Sequence, residues 1–193
     1  MKYIILINGL KRSGKDFITD IMIKNNADIK KLSFAEPIKD IIANTFEISK
    51  EQLDDFKNDE EGYGIELKAY PNNQPIVTID QMNFREILQN FGTEGMKPIF
   101  GENVWADITI QKALENDITV IPDFRFNIEY ETALKTEAKV ITVRIYDDNV
   151  KDEDFHSSET ELKNNGFKFD YHLDNTGHPD LTKEIKFILS KLT

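Results

Sequence analysis

Apolar residues along this chain fall into short β-branched runs separated by stretches with helical spacing. The first run, Tyr3-Ile4-Ile5-Leu6-Ile7, reads as a strand, and a helix follows over about 14–26. Lys31-Leu32-Ser33-Phe34 is a short extended piece that leads into Glu36-Pro37-Ile38-Lys39-Asp40-Ile41-Ile42. Pro37 suits a first helical turn, where its missing N–H is not needed. Residues 49–61 turn acidic, and Gly62, Gly64, Pro71 and Pro75 punctuate an expected irregular insertion. Residues 78–91 read as a helix capped by Thr78, with Ile79, Met82, Ile87 and Leu88 at its apolar positions. A helix over about 102–116 and the strand Ile118-Thr119-Val120-Ile121 come next. A helix over about 127–137, a strand over 140–145, a polar stretch, a strand around Tyr171-His172-Leu173 and a last helix over about 180–192 complete the pattern. Strands alternating with helices predict an α/β fold with a mainly parallel, doubly wound sheet and helices on both faces.

The chemistry concentrates where the first strand meets the first helix, at Asn8-Gly9-Leu10-Lys11-Arg12-Ser13-Gly14-Lys15-Asp16. This run meets the spacing G-x-x-x-x-G-K. Gly9 and Gly14 let the backbone turn tightly enough to aim several N–H groups at one point, and Lys15 reaches the outer phosphates of a nucleoside triphosphate. The helix adds its positive dipole end. A Ser or Thr hydroxyl usually follows the lysine and ligates Mg²⁺. Asp16 stands there instead, and a carboxylate meets the same hard-cation requirement directly or through water. The plain alternative is a glycine-containing surface turn.

Further along, the strand at 118–121 ends in Pro122-Asp123-Phe124-Arg125. Ligands of open α/β sheets bind beyond the carboxyl ends of the strands, so Asp123 and Arg125 should emerge at the rim of the phosphate loop, with Asp123 a second group for Mg²⁺ or its waters. A surface Asp/Arg pair is the alternative. Arg85, Gln89 and Gly92 are spaced i, i+4, i+7 and share a face of the expected helix. By spacing alone they are a solvent-facing polar stripe, and Trp105 by itself is core packing. The polar, acid-rich segment 147–169 follows a strand and fits a lid or a solvated loop. His156, His172 and His178 have no metal-ligand spacing.

Composition narrows the classes. The formal charge of −11, from 24 basic against 35 acidic residues, opposes binding to a phosphate backbone, so no nucleic-acid partner is expected. Against that background Lys11, Arg12 and Lys15 form a local anion pocket. No cysteine is present, which excludes disulfides and thiolate metal sites and suits a reducing cytoplasm. No apolar run approaches the roughly 20 residues that span a bilayer, and the first strand is too short for a signal-peptide core. The expectation is one soluble, cytoplasmic domain of 193 residues without a membrane partner.

Several segments, in order, resemble the deoxynucleoside monophosphate kinases of tailed bacteriophages. They are Gly9-Leu10-Lys11-Arg12-Ser13-Gly14-Lys15-Asp16, then Ala35-Glu36-Pro37-Ile38-Lys39-Asp40, then Arg85-Glu86-Ile87-Leu88-Gln89-Asn90-Phe91-Gly92-Thr93. Trp105, Pro122-Asp123-Phe124-Arg125 and Leu173-Asp174-Asn175-Thr176-Gly177 continue the series. Asp16 is expected of that family, whereas Phe17 departs from it where members can carry a Thr. The resemblance implies a phosphate-loop kinase fold, with an acceptor-binding insertion at about 36–117 and a lid at about 147–169. It implies transfer of the γ-phosphoryl group of ATP, with Mg²⁺, to the 5′-phosphate of a deoxynucleoside monophosphate. Lys15, Arg12, Asp123 and Arg125 would then be catalytic, and Gly9, Lys11, Arg12, Ser13, Gly14, Lys15 and Asp16 would bind ATP. Arg85 would hold the acceptor phosphate, with Lys39 a weaker candidate. Gln89, Gly92 and Thr93 would line the acceptor site, Trp105 would pack against the nucleotide, and Asp16 and Asp123 would serve the metal. The resemblance leans towards a homodimer, working in the host cytoplasm if the chain is viral. Two rivals are an animal-type phosphomevalonate kinase, which has a similar loop, Asp-x-Arg strand end and Asp/Asn/Gly ending, and a non-catalytic nucleotide-binding switch.

Overall fold

The computed structural model describes residues 1–57, 65–68, 75–79, 84–150, 162 and 166–192. In chain order the elements are β1 (Tyr3–Asn8), α1 (Lys15–Asn25), β2 (Ile29–Lys31), α2 (Glu36–Phe46), α3 (Lys50–Lys57), β3 (Ile65–Lys68) and β4 (Pro75–Ile79). They continue with α4 (Phe84–Gln89), a π-helical stretch (Asn90–Met96), α5 (Lys97–Phe100), α6 (Val104–Ala113), β5 (Ile118–Ile121), α7 (Asn127–Leu134), β6 (Lys139–Tyr146), β7 (Tyr171–Asp174) and α8 (Thr182–Leu189). They divide between two compact units, one formed by 1–34 with 105–193 and the other by 35–104. The insertion is expected at 36–117; the second unit covers 35–104, and α6 from Trp105 onward belongs to the first unit. Among the described residues no helix is long and apolar enough to cross a membrane.

The first unit is built on a five-stranded sheet in the order β2-β5-β1-β6-β7, with every pairing parallel. All six residues of β1 are buried, as the central strand of a sheet covered on both sides requires. Alternation along β1 divides the core into two layers. Tyr3, Ile5 and Ile7 pack with Ile18 and Met22 of α1 and Ile185 and Ile188 of α8, while Ile4 and Leu6 pack with Ala106, Ile110 and Ala113 of α6 and Ala133 of α7. The doubly wound architecture read from the sequence is the one observed.

The second unit gathers Ile42 and Ala43 of α2, Leu53 of α3 and Ile87 of α4 into a small core of its own. Lys50, at the start of α3, is paired with Glu36 and Asp40 of α2. Its expected irregular character is corrected in two places. Residues 50–57 are helical because Ser49 and Gln52 form a reciprocal capping box, the Gln52 side chain accepting from Ser49 N–H at 2.9 Å and Ser49 Oγ accepting from Gln52 N–H at 3.1 Å. Of the expected helix at 78–91, α4 accounts for Phe84–Gln89, and residues 80–83, with Met82, lie outside the described residues. Thr78 is not its cap but a residue of β4, paired with Glu66 of β3 in an antiparallel hairpin. The β-branched run Ile76-Val77-Thr78-Ile79 outweighs one capping residue.

Candidate active site

β1 ends on Asn8, whose buried side-chain amide donates to the Phe124 carbonyl at 2.7 Å. Phe124 N–H in turn donates to the Ile7 carbonyl at 3.2 Å. These bonds stitch the end of β1 to the turn after β5, so the phosphate loop and Asp123-Phe124-Arg125 occupy one rim of the sheet, as the strand-end argument requires. Phe124 faces inward at 1% exposure, with Phe167 and Phe169 edge-on to its ring at 5.5 and 6.2 Å. This ring anchors the turn from which its two charged neighbours project. It also brings the last residues of the expected lid into the core. Residues 151–161 and 163–165 of that segment, with His156, lie outside the described residues.

The loop itself is held by its glycines. A Cβ on Gly9 would come within 2.5 Å of Ser13 Oγ and 2.7 Å of the Ile145 carbonyl, so no larger residue fits. Ser13 N–H closes a turn on the Leu10 carbonyl at 3.1 Å. Arg12 and Gly14 both take left-handed φ, 69° and 90°. Left-handed residues within a short loop are how consecutive N–H groups are made to line a concave anion site. α1 begins at the next residue and brings its dipole to the same place. Lys15 folds back over the loop, donating to the Gly9 and Leu10 carbonyls at 2.6 Å each, while Lys11 and Arg12 are exposed.

The two candidate metal carboxylates differ. Asp123 is held on both oxygens, by Ser33 Oγ at 2.7 Å and Phe34 N–H at 3.0 Å. Asp16, with its side chain 79% exposed, is bonded by Lys31 Nζ at 2.7 Å. Among the described residues no three His, Asp or Glu side chains gather into a metal cage. Mg²⁺ does not ask for one, since it keeps several waters and takes one or two carboxylates plus substrate phosphates. The donor chemistry of Asp16 and Asp123 fits that habit. Phe17, where a hydroxyl is absent, is 57% exposed.

Glu129, in the first turn of α7, escaped the sequence reading. It is buried, and its carboxylate accepts from the N–H groups of Arg125 at 2.8 Å and Phe126 at 3.0 Å. Burial pushes its carboxyl up to about 8, and the charge of Asp123 adds to the effect while the two backbone bonds and Arg125 oppose it. An acid in the first turn of a helix is so common that only its burial marks it.

In the unit 35–104, Lys39 lies on α2, half-buried, and Arg85 and Gln89 lie four residues apart on α4. The Arg85 side chain lies outside the described residues. Gly92 does not continue their face by α-helical spacing, because the helix changes to π winding at Asn90, which widens each turn. Gly92 is buried there, while Gln89 and Thr93 are exposed. Trp105 belongs to the other unit and is 7% exposed on the buried side of α6, with Ala106, Thr109 and Ile110.

No curated protein matches the chain. Among solved structures, a protein titled as a kinase of Chloroflexus aurantiacus J-10-fl is similar over 99% of this chain and 96% of its own, at 11% identity and a TM-score of 0.51, which shows a shared fold. Dephospho-CoA kinase from Campylobacter jejuni is similar over 100% of this chain and 98% of its own, at 18% identity and a TM-score of 0.47. The family described as deoxynucleotide monophosphate kinase matches residues 3–69 and 57–181, which together span most of the sequence. By the extent of that match, the chain belongs to the deoxynucleotide monophosphate kinase family.

Proposed function

We propose that this enzyme transfers the γ-phosphoryl group of ATP to the 5′-phosphate of a deoxynucleoside monophosphate, giving the diphosphate and ADP and so supplying precursors for DNA. The observation that carries the reading is the loop from Gly9 to Lys15, with its left-handed Arg12 and Gly14 and its inturned lysine. An acceptor phosphate oxygen attacks the γ-phosphorus as the bond to the β,γ-bridging oxygen breaks, and negative charge grows on the departing ADP. Catalysis of this kind is mostly positioning and charge stabilisation. Lys15 would exchange the neutral Gly9 and Leu10 carbonyls for phosphate oxygens, a stronger charge-assisted contact. Arg12 and Arg125 add positive charge, and the backbone N–H groups of the loop and of α1 hold the triphosphate. A phosphate oxygen is already a nucleophile, so no side-chain base is required.

Asp16 and Asp123 would hold Mg²⁺ or its water shell, Asp16 leaving Lys31 to do so. When bound there, Mg²⁺ would supply positive charge against the negative charge that builds on the phosphates during transfer. In the unit 35–104, Arg85 and, more weakly, Lys39 would bind the acceptor phosphate, with Gln89, Gly92 and Thr93 towards base and sugar. The burial of Trp105 favours a packing role over a direct one.

The test is an ATP-consumption assay across the deoxy- and ribonucleoside monophosphates and phosphomevalonate, with Mg²⁺ and again with excess chelator. Turnover is expected with at least one deoxynucleoside monophosphate, none with phosphomevalonate, and none after chelation. Turnover with phosphomevalonate alone, or ATP binding without turnover of any acceptor, would overturn the reading.

A further inference from the structure

The segment Leu173-Asp174-Asn175-Thr176-Gly177 has no part in the chemistry above, yet its asparagine reaches the phosphate loop. Asn175 is 1% exposed, and its Nδ2 donates to the Ser13 carbonyl at 3.1 Å. A Cβ at Gly14 would lie 2.4 Å from that nitrogen, so the amide packs directly against the left-handed glycine before α1. The other end of the amide, Oδ1, has no hydrogen-bond partner among the described residues, so the bond to Ser13 is the contact that orients this side chain there.

Asn175 is itself rigidly placed. Its N–H donates to the Tyr146 carbonyl at the end of β6, and its carbonyl accepts from His178 N–H, each at 2.9 Å. Beside it, Thr176 N–H donates to the Asp174 carboxylate at 2.9 Å, and Asp148 N–H donates to Thr176 Oγ1 at 3.0 Å. The bonds from Thr176 hold the Asp174 carboxyl below the usual carboxylate range. The loop after β7 is thus a braced support tied to the neighbouring strand.

What this support does follows from peptide geometry. In a planar trans peptide the C=O and N–H point in opposite directions. The Ser13 carbonyl and the Gly14 N–H belong to one such unit, so an amide that captures the carbonyl on one side turns the N–H to the other. Glycine resists rotation of that unit weakly, because it has no Cβ to exclude other backbone angles. We infer that Asn175 is a positioning residue of the donor site, whose side-chain amide locks the Ser13–Gly14 peptide with the Gly14 N–H presented to the phosphates of ATP. The inference deepens the proposed reading and rests on its assignment of the loop to ATP.

Asn175→Asp and Asn175→Ala separate this role from simple packing. The aspartate is nearly isosteric but sets an acceptor against the Ser13 carbonyl, favouring the turned-over peptide, whereas alanine only removes the restraint. Calorimetric titration with ATP, without acceptor, should show Kd raised on the order of tenfold or more for Asn175→Asp and several-fold for Asn175→Ala. The acceptor KM should stay at the parent value in both. Thermal melts report whether each variant is folded, and Asn175→Ala carries the test by itself if Asn175→Asp fails to fold. ATP affinity within twofold of the parent in a folded variant, or equal losses for ATP and acceptor, would overturn the inference while leaving the donor-site reading intact. A parent protein that does not bind ATP would overturn both.

Discussion

The unit 1–34 with 105–193 carries its candidate residues on the ends of parallel strands, whereas the unit 35–104 carries its own on short helices and a π-helical stretch. In the first, the proposed roles fall partly on the backbone. Gly9 has no room for a Cβ, Gly14 is left-handed against Asn175, and Asp123 is fixed on both oxygens. In the second, the proposed roles fall mostly on side chains, and a Lys, an Arg, a Gln and a Thr on helices differ from ordinary surface residues by nothing except their ligand. The lesson is that a site which recruits main-chain N–H groups must spend glycines at set places, and those places are visible before any fold is known.

The largest expected effect tests the first half of that contrast. Lys15→Ala should lower kcat on the order of 10²-fold or more with an unchanged melting temperature, because it removes charge stabilisation of the transferring phosphoryl group. A folded variant with near-parent turnover would mean that the strand-end unit binds nucleotide without stabilising the transition state.

Arg85→Ala tests the other half. It should reduce kcat/KM for the acceptor on the order of tenfold to a hundredfold, acting on KM and kcat together, since a phosphate clamp both binds and aligns the attacking oxygen. Arg85→Lys should recover part of that, keeping the charge but losing the two-donor fork. ATP affinity measured without acceptor should hardly change. Gln89→Ala should instead shift the ratio of kcat/KM among bases by several-fold, the mark of a nucleoside contact. Equal losses of ATP and acceptor affinity in Arg85→Ala would erase the division of labour between the units.

How far the sequence could be read follows the same division. The parallel sheet and the two-sided core were legible because β1 is an uninterrupted apolar run and the helices alternate with strands. The Asp123 turn was legible from the position of an acid at a strand end. Three features were not. Ser49-x-x-Gln52 is a capping box hidden in an acidic stretch taken as irregular, and the β-branched character of 76–79 was read past in favour of Thr78 as a cap. The change to π winding at Asn90 carries no periodic signature, although Gly92 and Gly95 weaken the α-helix there. Asn175 and Glu129 belong to a further class, polar residues whose importance lies in a burial that only tertiary packing creates.

Glu129 offers the smallest effect on turnover and the sharpest probe of how the strand-end unit holds its turn. Its carboxyl sits at about 8 in the fold against an ordinary 4.5. Between those values the folded chain holds a proton that the unfolded chain has released, so stability falls as pH rises. This contribution is fully present below about 4.5 and is lost as pH climbs through about 8, with a slope near 1.4 kcal/mol per pH unit in between. Glu129→Gln removes the titration while leaving a carbonyl oxygen to accept from the Arg125 and Phe126 N–H groups. Urea midpoints of parent and variant measured from pH 5 to 8 should therefore converge or cross in the direction that disfavours the parent at the alkaline end, while turnover at neutral pH stays within about threefold, since the hydrogen bonds that aim Arg125 survive. A parent-minus-variant stability difference that stays flat over that range would mean Glu129 is ionised throughout, and the turn would then be held by a buried charge rather than by a neutral acid.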